Sequence, residues 1–348
     1  MPSVTPTAAA NARAANSVMD AIRRHVAVSD EVLRAAKDRR NLVRELAEEH
    51  PGARAGYNSG SVAHGTANAP LHDTDCGVVL DRRKFWIYGP DGLGEPPGAM
   101  LESFRDWILP QLRHDYPDVT GEITKRALLF EFHDPLTFEG VVVDPSVDLI
   151  VGLDRRNAPG LWIPNTERPG WDPSHPQRHT ELFVDTEPDL RVHRARVIRL
   201  AKVAVKNDGD CKVMCSFNIE ALGLELVTET APIAPSLAMF LLDASTEIAL
   251  ALTDDPAGVS GPIKLPDGIS QATAAHRLGQ LGQIVGASLH ATFESEARQI
   301  LEAAFGPQIA EMRELEAQSV DARLGRGRSA LAAPLVSSSY RPGRSDGV

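Results

Sequence analysis

The fold is decided by two short runs of sequence, YNSGSVAHGT at residues 57–66 and LHDTDCGVVL at residues 71–80. The first run predicts a short strand that ends at a turn of small residues, Gly60-Ser61. The second begins with Asp73 and Asp75 and continues as an apolar strand. Side chains two apart in a strand point to the same face, so the two carboxylates would lie side by side. Their repulsion predicts a bound divalent cation, with phosphate oxygens as further ligands.

A third acid lies within another apolar run. Asp148 interrupts the predicted strand 147–151. A carboxylate in so apolar a strand needs a partner, because burying an unpaired charge is unfavourable. A metal ion shared with Asp73 and Asp75 would supply that partner. Asp144 is the competing third acid, but the proline that follows it is typical of a turn.

The Gly60-Ser61 turn is predicted to bind phosphate. Glycine lets the backbone approach a phosphate group closely, and the hydroxyl of Ser61 adds a donor. The short helical turn that follows, closed by Gly65-Thr66, would present unpaired amides at its positive end. An isolated Gly-Ser pair is also compatible with an ordinary turn, so this prediction depends on the neighbouring acids.

Length and composition restrict the class of protein. The chain of 348 residues favours two domains, and 43% hydrophobic residues suffice to bury their cores. A formal net charge of −11 argues against stable binding of long nucleic acids, but small phosphorylated ligands remain compatible with it. The three cysteines, Cys76, Cys211 and Cys215, are too few for a disulfide framework and indicate the reducing cytoplasm. No apolar run approaches the roughly 20 residues of a membrane span, and we expect no membrane association.

Periodicity predicts strands in the first half of the chain only, and helices in both halves. The predicted strands are 53–59, 76–80, 120–124, 127–133 and 147–151, the last preceded by a β-like run from 141. The predicted helices are 18–26, 30–49, 100–116, 176–184, 190–206, 215–228, 234–252, 272–305 with breaks, and 308–323. In the third helix Phe104, Trp107, Ile108 and Leu112 are expected to face inward. Residues 157–173, rich in proline and glycine, are predicted to form an ordered connecting loop.

Gly60-Ser61, Asp73-Thr74-Asp75 and Asp148 together resemble the polymerase-β-type nucleotidyltransferase superfamily. The pattern of that superfamily is Gly-Ser, a strand with Asp-x-Asp, and a third acid on an adjacent strand. The resemblance implies an α/β (α+β) fold, with a mixed-sheet nucleotidyltransferase core and a helical second domain. The implied division is a disordered tail (1–16), a catalytic domain (17–155), a helical substrate-binding domain (156–323) and a second disordered tail (324–348). The N-terminal helices are candidates to pack on the second domain.

Two further runs, IRLAK at 198–202 and KVMCSFNIE at 212–220, resemble the helical domain of oligoadenylate synthase and cyclic GMP–AMP synthase relatives. This resemblance implies that Lys202 and Ser216 bind the triphosphate of an NTP, with Lys206 as the alternative lysine. Three short runs also resemble the bacterial CD-NTases, which make nucleotide second messengers in antiphage defence: WIPN at 162–165, GW at 170–171 and AAFG at 303–306. The resemblance covers about residues 17–308. The chain departs from its relatives in two respects. It has no zinc ribbon, and it has Ala204 where many relatives carry tryptophan.

The resemblance implies transfer of a nucleotide from an NTP such as ATP. Asp73, Asp75 and Asp148 would hold two Mg²⁺ ions, with Mn²⁺ as the alternative ion. Asp148 would join the metal nearer the acceptor, and it is also a candidate to take the proton of the attacking ribose hydroxyl. The implied product is a cyclic or linear oligonucleotide second messenger. The alternatives are transfer to a macromolecule, such as a tRNA end or a protein, and a non-catalytic nucleotide-binding module. A regulatory or effector protein encoded nearby is the expected protein partner.

Several of these side chains also have structural interpretations. His64 is expected to be exposed, and Lys202 could extend to solvent along an apolar face. Ser216 could be a helix N-cap. His175 and His179 lie four apart, as zinc ligands do, but capping or solvated positions fit them better.

Overall fold

The computed structural model describes residues 12–138, 141–167, 170–208 and 213–331. Within these ranges the helices are α1 (Arg13–His25), α2 (Asp30–Glu48), α3 (Gly60–His64), α4 (Gly98–Asp115), α5 (Pro176–Val184), α6 (Pro188–Asn207), α7 (Ser216–Leu226), α8 (Ile233–Leu250), α9 (Gln271–Ser288) and α10 (Glu294–Leu331). The strands are β1 (Ala53–Ser59), β2 (Asp73–Leu80), β3 (Thr120–Ile123), β4 (Leu128–Glu131), β5 (Leu136–Phe138), β6 (Val141–Val143), β7 (Ser146–Asp154), β8 (Leu161–Asn165) and β9 (Gly170–Ser174).

A seven-stranded mixed sheet forms the first half of the molecule. Its path is β1-β2-β7-β4-β3, and β8 and β9 extend it from β7. The pair β2–β7 is parallel, and the other pairs of this sheet are antiparallel. Strands β5 and β6 form a separate hairpin, which the sequence predicted only in part. The predicted fold class, a mixed sheet with a set of helices, is confirmed.

The two faces of the central strands differ in chemistry. On one face Cys76 and Leu149 are fully buried in an apolar cluster, to which α2 and α4 contribute Val43 and Phe104. Because side chains alternate along a strand, Asp75 lies on the other face. The sheet therefore has one face that is buried by helices and one that carries acids.

A second hydrophobic core is built from helices. Helices α1 and α5 to α10 all contribute buried side chains to it, including Met19, Leu200, Leu237 and Leu301. Helix α1 packs in this core, whereas α2 packs against the sheet. The helical core is therefore formed by α1 together with α5 to α10. The chain between α1 and α5 forms the sheet and the helices that cover it. The domain boundaries at 17–155 and 156–323 remain predictions.

The prediction of a loop over 157–173 is wrong. This segment contains most of the β8–β9 hairpin, in which Pro164 lies opposite Trp171 and Pro173 opposite Trp162. Proline lacks only the amide donor, and the edge of a sheet tolerates that loss. The two prolines were therefore a poor argument against strand structure.

Other differences concern helix faces and ends. Phe104, Ile108 and Leu112 are buried as predicted, but Trp107 is 36% exposed and its indole N–H donates to the carbonyl of Leu46. Helix α10 is interrupted by the non-helical backbone of Phe305 and continues to Leu331, past the predicted end at Arg323. The remainder of the predicted tails, 1–11 and 332–348, lies outside the described residues, as does Cys211.

Among the described residues one helix, α8, is long and apolar enough by length and composition alone to cross a membrane. The sequence predicts no such segment. Buried side chains of α8, among them Leu237, Phe240 and Ile248, lie in the helical core. Other apolar side chains of α8, Met239, Leu242 and Leu250, are exposed, so core packing explains only part of its apolar composition.

Arg39 of α2 anchors the turn before β7. Its side chain is 2% exposed. It donates to a carboxylate oxygen of Asp144 at 2.6 Å, to the carbonyl of Pro145 at 3.1 Å and to the carbonyl of Asp134. The guanidinium also lies 4.6 Å from the ring centroid of Phe132. Asp144 is therefore bound by an arginine.

We expect Arg39→Met to lower the free energy of unfolding by about 1–3 kcal/mol, because it leaves two carbonyls and the carboxylate of Asp144 without their donor. Arg34→Met is the matched control, since Arg34 is exposed on the same helix. Denaturant unfolding of both variants measures the difference. Equal stability of the two variants would contradict the anchoring role of Arg39.

Candidate active site

The structure brings the three predicted acids together on the open face of the sheet. In the parallel pair β2–β7, Asp75 lies opposite Asp148, and Asp73 lies opposite Ser146. Paired strands are about 4.8 Å apart, and registered partners point to the same face. Asp73 and Asp75 share that face because they are two residues apart. The arrangement thus supplies three carboxylates from neighbouring positions of two strands.

The predicted phosphate turn lies directly against these acids. Gly60 has a φ of +71°, and a Cβ atom placed on it would lie 1.8 Å from a carboxylate oxygen of Asp75. Only glycine therefore fits between β1 and Asp75. Ser61 follows in the first turn of α3 and is partly buried. Ser59 lies opposite Asp75 in the β1–β2 pair, and its buried hydroxyl oxygen has no hydrogen-bond partner within the described residues.

The carboxylates are held in an unfavourable electrostatic environment. Burial, together with the charges of Asp73 and Asp148, raises the pKa of Asp75 to about 7. Burial and the charge of Asp73 raise the pKa of Asp148 to about 6. A cation beside these oxygens would relieve both the repulsion and the loss of solvation.

The three acids fit an oxygen-liganded divalent cation such as Mg²⁺ only as a partial ligand set. In the described part of the chain no group of three His, Cys, Asp or Glu side chains is placed so that it could hold a metal ion. Mg²⁺ in proteins is commonly held by one or two carboxylates together with waters and substrate phosphates. The site therefore suits metal that arrives with a phosphorylated ligand.

The structure also distinguishes the two candidates for the third acid. Asp148 projects beside Asp75, whereas Asp144 is bound by Arg39 at the turn before β7. Asp144 lies outside the strands, in the short connection between β6 and β7.

Lys202 of α6 lies in a buried polar cluster and does not extend to solvent. Its ammonium donates to Glu220 at 2.5 Å, and to the hydroxyl and the carbonyl of Thr66 at 3.1 and 3.3 Å. Glu220, on α7, is only 5% exposed. The alternative interpretation of Lys202 as a solvated side chain is wrong.

His64 belongs to the same cluster, and the expectation that it is exposed is wrong. It is 7% exposed, its Nδ1 lies 2.9 Å from Glu220, and its Nε2 lies 3.2 Å from the hydroxyl of Thr180. Its ring stacks on Phe183 with the centroids 4.6 Å apart. Burial raises the pKa of Glu220, but Lys202 and His64 outweigh this effect and lower it to about 2. The carboxylate is therefore charged and fully partnered.

Ser216 and Lys206 are both exposed. Ser216 is the first residue of α7, and Cys215 occupies the N-cap position, so the alternative of Ser216 as N-cap is wrong. Lys206 lies in the last turn of α6. Both remain accessible to a ligand.

His175 and His179 have separate partners. His175 accepts a hydrogen bond from the amide of Arg178 and caps α5, as the capping interpretation predicted. His179 contacts Asp255 at 2.6 Å and is largely buried, so the expectation of a capping or solvated position is wrong for this residue. Neither arrangement resembles a shared zinc site.

Glu220, Thr66 and Ser59 carry no predicted role in the sequence, although each lies at or beside the site. Glu220 had a usable signal, since it is an acid between Ile219 and Ala221 in an apolar helix. Thr66 and Ser59 had none, because small hydroxyl residues are common in turns.

Comparison with known proteins identifies the fold. No family model and no curated protein sequence matches the chain. Among solved structures, the CD-NTase CdnG of Bradyrhizobium diazoefficiens in complex with GTP matches with a TM-score of 0.62 and 13% identity, over 89% of this chain and 98% of that one. The chain has the CD-NTase fold.

Two further structures with the CD-NTase fold match over most of their length. The E. coli MS115-1 CdnC:HORMA-deltaN complex has a TM-score of 0.56 and 16% identity, over 83% of this chain and 97% of that one. The Vibrio cholerae DncV cyclic AMP-GMP synthase with the linear intermediate pppA(3′,5′)pG has a TM-score of 0.53 and 14% identity, over 86% and 88%. At such identities the comparison establishes the CD-NTase fold, and the chemistry has to be argued from the site.

Gly60→Ala and Gly65→Ala form a matched pair that tests the turn. Both glycines have a positive φ, so both substitutions strain the backbone by about 1–2 kcal/mol. Only at Gly60 would the new methyl group also collide with Asp75, because no atom lies within 4 Å of the corresponding position at Gly65. We expect Gly60→Ala to be the less stable variant in thermal unfolding. Equal melting temperatures would contradict the close approach of Gly60 to Asp75.

Asp75→Asn tests the electrostatics in protein that has been stripped of metal with a chelator. The pKa of Asp75 rises from its usual 3.8 to about 7 on folding, so the folded state loses stability as pH rises through that window. Asparagine does not ionise, so the Asp75→Asn variant does not lose stability in this way as the pH rises. We expect it to melt higher than the wild type at about pH 8, and the difference to vanish near pH 4. Asp118→Asn, at an exposed position, is the control; a variant no more stable than wild type at the higher pH would refute the account.

Proposed function

We propose that this protein is a nucleotidyltransferase that uses nucleoside triphosphates with two Mg²⁺ ions. The observation that carries the proposal is the register that sets Asp75 opposite Asp148, with the backbone of Gly60 against Asp75. Two adjoining carboxylates beside a glycine turn suit a metal-bound phosphate better than any ligand without charge. The CD-NTase fold supports the proposal, because the matching CdnG structure contains GTP and the DncV structure contains a linear dinucleotide.

In this proposal Asp73, Asp75 and Asp148 hold the ions, with Mn²⁺ as the alternative metal. Bound metal would stabilise the charge that develops on the entering and leaving oxygens of an in-line displacement. Gly60 leaves space for a phosphate oxygen beside Asp75, and Ser61 donates to it. Asp148 takes the proton of the attacking ribose hydroxyl.

The unpartnered hydroxyl of Ser59 lies on the same face of the sheet as Asp75 and is a further donor for this phosphate. From the helical side, the exposed Ser216 contacts the triphosphate tail. The NTP would therefore lie between the acidic face of the sheet and the start of α7.

We further propose that the product is a cyclic or linear oligonucleotide that acts as a second messenger in antiphage defence. The dinucleotide in the DncV structure supports this product class. The CdnC structure is a complex with a HORMA protein, which supports a regulatory protein partner for this chain as well.

The test is incubation of purified protein with labelled NTP mixtures and Mg²⁺. We expect a phosphatase-resistant product together with pyrophosphate. Asp73→Asn and Asp148→Asn should each lower the rate by more than about 100-fold, beyond the effect of losing an outer-shell partner of a metal. Asp118→Asn should leave it unchanged.

The other outcomes identify the alternatives. Label transferred to RNA or to a protein would replace the messenger proposal with transfer to a macromolecule. Nucleotide binding without turnover in any NTP mixture would favour a non-catalytic module. Unchanged activity of the Asp73 and Asp148 variants would refute the metal-site assignment.

A further inference from the structure

The ammonium group of Lys202 has no donor to spare for a nucleotide. An ammonium has three N–H donors, and the structure gives Lys202 three acceptors, one on Glu220 and two on Thr66. The lysine side chain is 11% exposed and the glutamate 7%. A triphosphate could engage Lys202 only by displacing partners that are already in place.

Displacement would also leave Glu220 without its main counter-charge. This carboxylate is buried, and Lys202 is the largest of the groups that favour its charged form. Removing one member of a buried ion pair is strongly unfavourable, because the other charge is left in a medium of low polarity. The arrangement therefore favours a lysine that stays on Glu220.

The cluster ties the phosphate turn to the helices. Thr66, which accepts from Lys202, donates its own amide to the carbonyl of Ser61 at 2.9 Å. His64, in α3, reaches the same glutamate. The helical side contributes Lys202 from α6 and Glu220 from α7. Both ends of the α3 segment are thus held, one by Asp75 packing on Gly60 and the other by this cluster.

We infer that Lys202 and Glu220 are positioning residues, which hold α3 and the Gly60-Ser61 turn against Asp75. Lys202 does not bind the triphosphate. The inference rests on the proposed function, and it names what keeps the phosphate turn in place. It replaces the role that the sequence resemblance implied for Lys202.

A double-mutant cycle separates the two roles. The variants are Lys202→Met, Glu220→Gln and the combination K202M/E220Q, in which neither charge is left buried alone. Lys264→Met controls for loss of an exposed lysine that lies outside this cluster. The readouts are kcat with the NTP mixture that supports turnover in the wild type, the Kd of α,β-methylene ATP, and the melting temperature without nucleotide.

If the pair positions the turn, both single variants lower kcat by about 10- to 100-fold, since a displacement of about 1 Å has effects of that size. Both should weaken binding of the analogue to a similar extent, because the turn that the pair holds also donates to the phosphates. The combined variant should be no slower than the slower single variant, and it should melt higher than Lys202→Met. The Lys264→Met control should keep the wild-type kcat and the wild-type melting temperature.

The opposite pattern would overturn the inference. If Lys202 binds the triphosphate, Lys202→Met weakens analogue binding by about tenfold or more, whereas Glu220→Gln frees the lysine and leaves binding unchanged or tighter. That result would leave the proposed nucleotidyl transfer intact. A wild-type protein that neither binds the analogue nor forms product would instead refute the proposed function.

Discussion

The carboxylates of Asp75 and Asp148 face each other across the parallel pair β2–β7, in surroundings that exclude much of the solvent. Their repulsion opposes folding, and the opposite face of the same strands offsets it. There Cys76 and Leu149 are fully buried in the apolar cluster beneath the sheet. A slip of one residue in either strand would exchange the two faces and place a carboxylate in that cluster. The apolar face thus maintains the register that keeps the acids together.

The molecule buries charge in two different ways. Glu220 is surrounded by Lys202, Thr66 and His64, so its charge is balanced from within the protein. The aspartates of β2 and β7 have each other as neighbours, and no comparable set of donors surrounds them among the described residues. A buried charge that is paired with groups of the protein is typical of a structural role. A buried charge without such partners is typical of a ligand-binding site. This contrast, more than burial itself, distinguishes the two clusters.

Much of the fold could be predicted because its signals are local. The bounds of β1 follow from a short run that ends at a Gly-Ser turn, and Asp148 was recognisable as an acid inside an apolar strand. The same rule applies to Glu220, but its pairing with Lys202 joins two helices and has no sequence signal. The approach of Gly60 to Asp75 depends on the β1–β2 register, and the burial of His64 depends on α5. Such tertiary relations could not be inferred from spacing.

The route of the chain has a consequence for its synthesis. Helix α1 is made before the other helices of its core, and the core that receives Met19 and Ile22 is completed by α6 to α10, more than a hundred positions later in sequence. During translation the apolar stripe of α1 therefore emerges before most of its partners exist. The sheet, whose strands and covering helices α2 and α4 lie between α1 and α5, can assemble in the meantime. The helical core can be completed only after α6 to α10 have emerged, around a helix that was made well before them.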